Sequence, residues 1–325
     1  MKRSSICSAL IVLSMFCSAE VPYEPKLIQR DLLIIAHRGA SGHLPEHTLP
    51  AYRLAIDQGA DFIEPDLVVT KDRQLVCLHD VSLSRTTDIA EHAQFYDRQR
   101  RVNGQLDWFV SDFTLVELRQ LRTRQAYGAR SSAHDGMYEI PTFQDAIDLV
   151  RTHNLGANRP VGIYPELKAT DFFSKVDVPR LLLDELASNG LSEAKNMVFI
   201  QSSDPNVLRA LRSMTELPLV MLLRSKAHLQ PSTPNIALAD VIPFVDVIGA
   251  SKHLILGPLG EDTGFVASAM QYGVPVHAWT VRDDAVHVAY RSVHSEILAL
   301  QEVGVAGLFT DFPDTVVRLL EASKP

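Results

Sequence analysis

His37 and Arg38 are the first residues of this 325-residue chain whose types and spacing could do chemistry. They follow the apolar run at residues 32–36, which is typical of a buried strand that delivers polar side chains to its end. Imidazole transfers protons near neutral pH, and a guanidinium offers a planar fork of donors to phosphate. The pair therefore indicates chemistry on a phosphate ester.

Three carboxylates stand at the ends of two later strand-like runs. Glu64 and Asp66 belong to the run at residues 62–67, and Glu166 ends the run at residues 161–166. Carboxylates that meet at one place repel one another unless a cation lies between them. An all-oxygen set of ligands suits Ca²⁺ or Mg²⁺ better than zinc. Pairing of each carboxylate with an arginine or lysine is the alternative, and we favour the metal because of ligand type and placement.

A second histidine, His79, is expected to reach the same place through a hairpin. Residues 68–74 extend the second strand into a turn at residues 72–73. With a two-residue loop there, Asp66 lies opposite His79, and paired residues share a face of the sheet. Cleavage of a phosphodiester needs one group to take a proton and another to donate one. Two histidines beside a metal meet that need.

Eight strand-like runs, alternating with amphipathic helical patterns, must position these groups. The runs are residues 32–36, 62–67, 161–166, 197–201, 217–223, 245–249, 274–279 and 307–310. This alternation predicts an α/β fold, a TIM (β/α)8 barrel, as a single domain over residues 20–325. Active sites of such barrels lie at the C-terminal strand ends, which adds Lys168 and Trp279 to the candidates.

Residues 81–140 interrupt the alternation after the second strand. They contain many arginines among acidic residues and few long apolar periods. We interpret this segment as an insertion packed over the barrel mouth. It either shapes substrate access or makes no contact with substrate, and the sequence favours neither interpretation clearly.

The N-terminus resembles a secretory signal over residues 1–19, with a basic start, an apolar stretch and small residues at the end. We therefore predict a periplasmic or secreted protein. Lipidation at Cys17 is less favoured because the bulky Phe16 precedes it. Cleavage would leave Cys77 as the only cysteine, so no internal disulfide is expected. The net charge of −8 argues against nucleic acid and anionic lipid as partners.

The motifs, taken together, resemble those of the glycerophosphodiester phosphodiesterases. Residues 37–39 and 45–48 are similar to the family's His-Arg-Gly and Pro-Glu-Asn-Thr segments, with His47 in place of Asn as in the periplasmic bacterial branch. Further similar motifs follow in family order: Glu64-Pro65-Asp66, His79-Asp80, Glu166-Leu167-Lys168, Trp279-Thr280-Val281 and Thr310-Asp311-Phe312-Pro313. Residues 201–203 depart from the Ser-Phe ending that is common in the family.

The resemblance covers residues 31–318 and implies a TIM-barrel hydrolase. Its substrate would be a small glycerophosphodiester, cleaved to sn-glycerol 3-phosphate and an alcohol. The resemblance implies these roles: His37 and His79 as acid and base; Glu64, Asp66 and Glu166 as ligands of a divalent cation, usually Ca²⁺ with Mg²⁺ as the alternative; and Arg38 and Lys168 as phosphate-binding groups. The place of Trp279 at a strand end favours a role in lining the glycerol pocket over a role in the core.

Two other functions remain open at this point. One is a related barrel lyase that stops at a cyclic phosphate, which the insertion and the ending at residues 310–313 disfavour. The other is a secreted binding protein with a degenerate site, which the complete set of candidate groups disfavours. No nucleic acid and no stable membrane anchor are expected, while the alcohol group and the oligomeric state stay open.

Overall fold

The computed structural model describes residues 32–168, 170–194, 197–227 and 230–322. The predicted signal peptide lies outside the described residues, so export stays a prediction of the sequence. Among the helices within these ranges, none is both long and apolar enough to cross a bilayer.

The strands and helices follow one another in the alternating order that the sequence predicts. In chain order the strands are β1 (Leu33–His37), β2 (Phe62–Glu64), β3 (Asp66–Val69), β4 (Leu75–Cys77), β5 (Arg100–Val102), β6 (Gln105–Asp107), β7 (Gly162–Ile163), β8 (Glu166–Leu167), β9 (Ile200–Ser202), β10 (Leu219–Leu223), β11 (Ser225–Ala227), β12 (Gln230–Pro234), β13 (Val247–Ser251), β14 (Val276–Val281) and β15 (Gly307–Thr310). The helices are α1 (Leu49–Asp57), α2 (Leu115–Leu118), α3 (Phe143–Asn154), α4 (Val178–Ser188), α5 (Pro205–Arg212), α6 (Leu238–Val241), α7 (Lys252–Ile255), α8 (Phe265–Met270), α9 (Val293–Glu302) and α10 (Pro313–Ala322).

Two of the eight barrel strands are interrupted at a proline. Pro65 separates β2 from β3, and Pro165 lies between β7 and β8. A proline has no N–H to give to the ladder, but its carbonyl still accepts. Glu166 N donates to Pro65 O and Gln201 N donates to Pro165 O, each over 2.9 Å. The two halves of each strand therefore stay aligned, and a carboxylate emerges beside each proline.

Parallel pairing connects all eight barrel strands in sequence order and joins the last strand, β15, to β1. β2 pairs with β7 and β3 with β8, so the second and third barrel strands are neighbours along both halves. The predicted TIM barrel with an insertion after the second strand is confirmed.

The interior of the barrel is filled by aromatic and branched side chains rather than left open. Ile35, Phe62, Tyr164, Val220, Val247 and Phe309 form this inner cluster and are buried. Each fully buried side chain of this size stabilises the fold by about 2 kcal/mol. Because the inner cluster fills the barrel along its axis, polar side chains at the C-terminal strand ends lie at the barrel mouth.

The hairpin after the second barrel strand forms, but the predicted register is wrong by one residue. Leu78 N donates to Asp66 O over 3.0 Å, so Leu78 rather than His79 lies opposite Asp66. The loop holds three residues, 71–73, because Arg73 adopts the left-handed conformation (φ 62°) that ends such loops. A one-residue slip normally turns a side chain to the other face. However, β4 ends at Cys77, two residues before His79, so the pairing of the strands does not determine the direction of the His79 side chain.

The insertion at residues 81–140 consists of short turns of helix, the β5–β6 hairpin and α2, and it contacts the barrel mouth. Arg130 donates to Ser41 O over 3.0 Å and to Asp311 Oδ2 over 2.6 Å. Gln125 Nε2 donates to the same Ser41 carbonyl over 3.2 Å. The insertion therefore holds the loop that follows β1, whereas its effect on substrate access stays a prediction.

Candidate active site

A cavity of about 290 Å³ opens at the C-terminal ends of the barrel strands. Seven of the eight predicted site residues line it: His37, Arg38, Glu64, His79, Glu166, Lys168 and Trp279. The eighth, Asp66, is fully buried next to two of them. The fold thus brings together residues that are up to 242 positions apart in the sequence, between His37 and Trp279.

The three carboxylates Glu64, Asp66 and Glu166 converge as predicted. Each is buried, and one oxygen from each lies within 4.8 Å of the others. Asp66 and Glu166 are register partners at the start of β3 and β8, and Glu64 ends β2. Burial, together with the neighbouring carboxylates, raises the pKa of Glu64 well above its usual range. Burial raises the pKa of Glu166 to about 7, so a proton or a cation is needed among the three groups.

The arrangement fits a hard divalent cation. Within the described part of the chain, Oδ1 of Asp66 has no hydrogen-bond partner although it is buried. Its nearest cation is Lys168 Nζ, at 3.4 Å. A buried carboxylate oxygen without a donor is costly unless a charge compensates it. Three carboxylates, one of which has an oxygen that accepts no hydrogen bond among the described residues, provide the ligand type that Ca²⁺ and Mg²⁺ prefer.

Lys168 lies between two of the carboxylates. Its Nζ atom is 2.8 Å from Oε1 of Glu166 and 3.4 Å from Oδ1 of Asp66. Burial alone would raise the pKa of Asp66, but Lys168 and His47 hold it well below its usual range. Burial would lower the pKa of Lys168, and the carboxylates reverse this effect and raise it. Lys168 therefore stays charged at the cavity wall, where a phosphate oxygen could bind.

His37 is oriented by a carboxylate from the far end of the chain. Its Nδ1 donates to Asp311 Oδ1 over 2.6 Å, and its Nε2 accepts from Arg38 Nε over 3.3 Å. Burial and the charge of Arg38 lower the pKa of His37 to about 4. Burial opposes ionisation of Asp311, yet His37 and two arginines hold the pKa of that carboxyl well below its usual range. At neutral pH, His37 is thus a neutral imidazole whose Nε2 can accept a proton.

His79 has a similar arrangement on the neighbouring side of the cavity. Its Nδ1 lies 2.5 Å from Oδ1 of Asp80, and Asp80 in turn accepts from Arg85 Nε over 2.5 Å. Burial lowers the pKa of His79 below its usual value. Each of the two histidines therefore uses Nδ1 for a carboxylate, which makes Nε2 the nitrogen that can act as an acid or a base; in His37 this atom also accepts the 3.3 Å contact from Arg38 Nε.

Arg38 is held in the cavity wall by a buried carboxylate. Its guanidinium donates to both oxygens of Glu46 over 3.2 Å, and Arg85 donates to the same carboxylate over 2.8 Å. Burial would raise the pKa of Glu46, but the two arginines lower it to about 2. The glycine after Arg38 is required, since a Cβ at Gly39 would lie 2.7 Å from the backbone carbon of Ala51.

His43 and His47 stand near the site in sequence, and their positions suggest a role in orienting the loop or in pairing with Glu46 rather than in direct catalysis. Among the described residues, the hydrogen-bond partners of the Glu46 carboxylate are Arg38 and Arg85 and neither histidine. His47 instead contacts Asp66 Oδ2 through Nε2 (2.9 Å) and Tyr52 OH through Nδ1 (2.8 Å). His43 contacts Asp314 outside the cavity. His47 therefore orients a candidate metal ligand.

Several partner residues receive no role from sequence reasoning. Asp311 and Asp80 orient the histidines, Glu46 holds Arg38, and Gln201 Nε2 donates to Glu64 Oε1 over 2.8 Å. Asp311 directly follows β15 and Gln201 lies in the short strand β9, so their placement near the mouth could be predicted from the strand-like runs of the sequence. The hydrogen-bond partners of Asp311 and Gln201 could not be predicted in this way, because those pairings depend on which strands become neighbours.

The opposite wall of the cavity comes from the later barrel strands. Trp279 lines it and donates from Nε1 to Gly249 O over 3.0 Å, which fixes the indole ring at the strand end. Ser203, Leu222 and Arg224 lie along the same wall. The atypical ending at residues 201–203 thus places a small polar side chain, Ser203, in the cavity.

Comparison with known proteins agrees with this geometry. Residues 37–315 match the family model described as the glycerophosphoryl diester phosphodiesterase family. A glycerophosphodiester phosphodiesterase of Arabidopsis thaliana is 35% identical, covering 90% of this chain and 86% of its own length. A glycerophosphodiester phosphodiesterase of Haemophilus influenzae is 32% identical, with 91% and 92% coverage.

Solved structures share the fold. A phosphodiesterase of Oleispira antarctica, in complex with the product sn-glycerol-3-phosphate, aligns with a TM-score of 0.65 at 21% identity, covering 89% of this chain and 96% of that one. A glycerophosphodiester phosphodiesterase of Agrobacterium tumefaciens aligns with a TM-score of 0.58 at 22% identity, covering 90% and 99%. The enzyme class that the motifs predict is confirmed, and the chain belongs to the glycerophosphoryl diester phosphodiesterase family.

Proposed function

We propose that this protein hydrolyses glycerophosphodiesters to sn-glycerol 3-phosphate and an alcohol in a reaction that depends on a divalent cation. One observation carries the proposal: two carboxylate-oriented histidines, two phosphate-binding cations and a three-carboxylate cluster surround a single cavity. The product bound to the Oleispira antarctica neighbour and the names of the relatives support the choice of substrate.

The groups divide into those that bind phosphate and those that move protons. Arg38 and Lys168 bind the phosphoryl oxygens, and each is kept charged by carboxylates that do not face solvent. Glu64, Asp66 and Glu166 would hold the cation, for which we propose Ca²⁺ with Mg²⁺ as the alternative. When bound, such a cation supplies Lewis-acid stabilisation of the charge that grows on the phosphoryl group.

The two histidines transfer the protons. A hydroxyl oxygen attacks phosphorus while Nε2 of one histidine takes its proton, and the phosphorus–oxygen bond to the alcohol breaks. Nε2 of the other histidine gives a proton to the departing alcohol oxygen. Because burial lowers both histidine pKa values, the acid depends on the negative charge of the bound phosphate to keep its proton.

The attacking hydroxyl is either water or the neighbouring hydroxyl of the glycerol. Attack by the glycerol hydroxyl gives a cyclic phosphate, which water then opens while the histidines exchange roles. We favour this two-step route as a hypothesis. Detection of the cyclic ester during turnover supports it, whereas an enzyme that neither forms nor hydrolyses the cyclic compound attacks with water directly.

The activity is tested by the release of glycerol 3-phosphate from glycerophosphocholine and glycerophosphoethanolamine. Release should stop with a chelator and should fall by at least about 10²-fold in His37→Ala. His43→Ala is the matched control, since that imidazole contacts Asp314 outside the cavity. Activity that survives both chelation and the loss of His37 contradicts the proposal.

A further inference from the structure

Of the three described arginines that line the cavity, only Arg224 has neither a role in the reaction nor a carboxylate partner. Arg224 follows β10, lines the cavity and has an exposed side chain. Within the ranges that the structure describes, its guanidinium forms no ion pair or hydrogen bond. The other cavity cations differ in this respect, since Arg38 pairs with Glu46 and Arg282 Nε lies 2.7 Å from Asp311 Oδ2.

The backbone of Arg224 is held in place although the side chain is not. Arg224 N donates to Oδ1 of Asn235, and Asn235 N donates to Arg224 O, each over 2.9 Å. These two bonds close the base of the β11–β12 hairpin, and Asn235 also lines the cavity. The position of Arg224 at the rim is therefore built into the fold.

The two walls of the cavity differ in charge. The first three barrel strands contribute the carboxylates Glu64 and Glu166 together with the cations Arg38 and Lys168. The wall from later strands contributes the cations Arg224 and Arg282 and, among its described lining residues, no carboxylate. In the proposed function the phosphate lies beside Arg38 and Lys168. The glycerol hydroxyls can then donate to the carboxylate side, and the alcohol half of the diester extends towards Arg224.

We infer that Arg224 binds an anionic group on the alcohol half of the substrate. The preferred substrates are then glycerophosphodiesters whose alcohol carries a phosphate or carboxylate, rather than a trimethylammonium group. This inference rests on the proposed function. A guanidinium forms charge-assisted bonds with an anion, whereas a cationic alcohol would face the unpaired positive charge of Arg224. Because Arg224 is exposed to solvent, its attraction for an anionic group is weakened and depends on the salt concentration.

The test compares three substrates: glycerophosphoglycerol, the same compound with a phosphate on its outer glycerol, and glycerophosphocholine. The wild-type protein should have the highest kcat/KM for the phosphorylated compound and the lowest for the choline ester. Arg224→Gln should lower the ratio of phosphorylated to neutral substrate by about tenfold. Asn235→Asp keeps the acceptor for Arg224 N and adds a carboxylate to the lining of the same cavity, so it should lower the same ratio. Arg291→Gln, at another exposed arginine, should keep the wild-type ratio.

Equilibrium binding of the three diesters to His37→Ala separates this inference from the proposed function. Binding that favours the phosphorylated diester and loses this preference in the His37→Ala/Arg224→Gln double variant supports the inference even if the wild-type protein hydrolyses none of the three. The inference is overturned if the wild-type protein prefers the choline ester, or if Arg224→Gln changes kcat/KM and binding equally for all three compounds.

Discussion

Nδ1 of His37 lies 2.6 Å from Oδ1 of Asp311, a residue 274 positions later in the chain. The carboxylate holds the ring through Nδ1, Nε2 lies 3.3 Å from Arg38 Nε, and the charge of Asp311 opposes the lowering of the His37 pKa by burial and Arg38. Asp311 is thus a positioning residue for a candidate base.

Replacement of this carboxylate tests that role. In Asp311→Asn we expect kcat to fall by about 10²-fold, with a smaller change in KM. The acidic limb of the kcat/KM profile should move to lower pH, because the loss of the carboxylate lowers the pKa of His37 further. Arg130→Gln is the control, since it removes one arginine from Asp311 but keeps the bond to His37. An unchanged pH profile in Asp311→Asn contradicts the role.

The three-carboxylate cluster predicts that divalent cations stabilise the fold. At a Ca²⁺ concentration of 100 times Kd, the free energy of unfolding should rise by about 2.7 kcal/mol. Glu166→Gln removes one charged ligand and should abolish most of this rise. Glu185→Gln, a carboxylate on α4 outside the site, should keep it. Thermal unfolding with and without Ca²⁺ or Mg²⁺ gives the measurement, and a wild-type protein that no divalent cation stabilises contradicts the site.

The contacts of His47 predict that its replacement changes cation affinity. Its imidazole connects Tyr52 to Asp66, and residues that orient a metal ligand typically change affinity by about 10- to 100-fold when replaced. His47→Asn should weaken cation binding within that range, because asparagine tolerates the left-handed backbone at this position (φ 58°) but is too short to make both contacts. His43→Ala should bind the cation as the wild-type protein does. Calorimetric titration of both variants checks this, and equal affinities would remove His47 from the site.

His277 predicts a dependence of stability on pH. Its ring is buried in the barrel against Tyr164 OH (3.0 Å), and burial lowers its pKa to about 4 from 6.5. The folded state therefore binds fewer protons than the unfolded state between these values. Stability is fully present above pH 6.5 and decreases as the pH falls towards 4, by up to about 3 kcal/mol.

Urea unfolding of His277→Gln and the wild-type protein over pH 4 to 6.5 measures this contribution. The variant should lose less stability over the interval, although His37 keeps part of the dependence because its pKa is also lowered to about 4. His294→Gln, at an exposed histidine, should follow the wild-type curve. If the plots of unfolding free energy against pH are parallel for His277→Gln and the wild-type protein, the proposed contribution of His277 is wrong.

Strand identity and the placement of chemistry at strand ends were both predictable from the sequence. Short apolar runs indicate strands that are buried on both faces. In a parallel barrel the C-terminal ends of all strands lie at the same mouth. For that reason the residue pattern alone groups Glu64, Asp66 and Glu166, and their convergence within 4.8 Å agrees with the grouping.

Hairpin register was not predictable in the same way. The choice between a two-residue and a three-residue loop at residues 71–73 depends on whether Arg73 adopts a left-handed conformation. Non-glycine residues adopt it only when surrounding contacts compensate the strain. His79 lines the cavity as predicted, but the reason differs from the prediction. The strand pairing does not place His79 there, since β4 ends two residues before it.

The sequence by itself determined the family, the barrel and which side chains meet at its mouth, because these depend on local patterns and on the order of the strands. Only the tertiary structure decided the partners: Asp311 for His37, His47 for Asp66 and, among the described residues, the unpaired state of Arg224. These pairings join segments far apart in the chain, and their hydrogen bonds depend on distances of a few tenths of an ångström. Hydrophobic patterning does not encode distances on that scale.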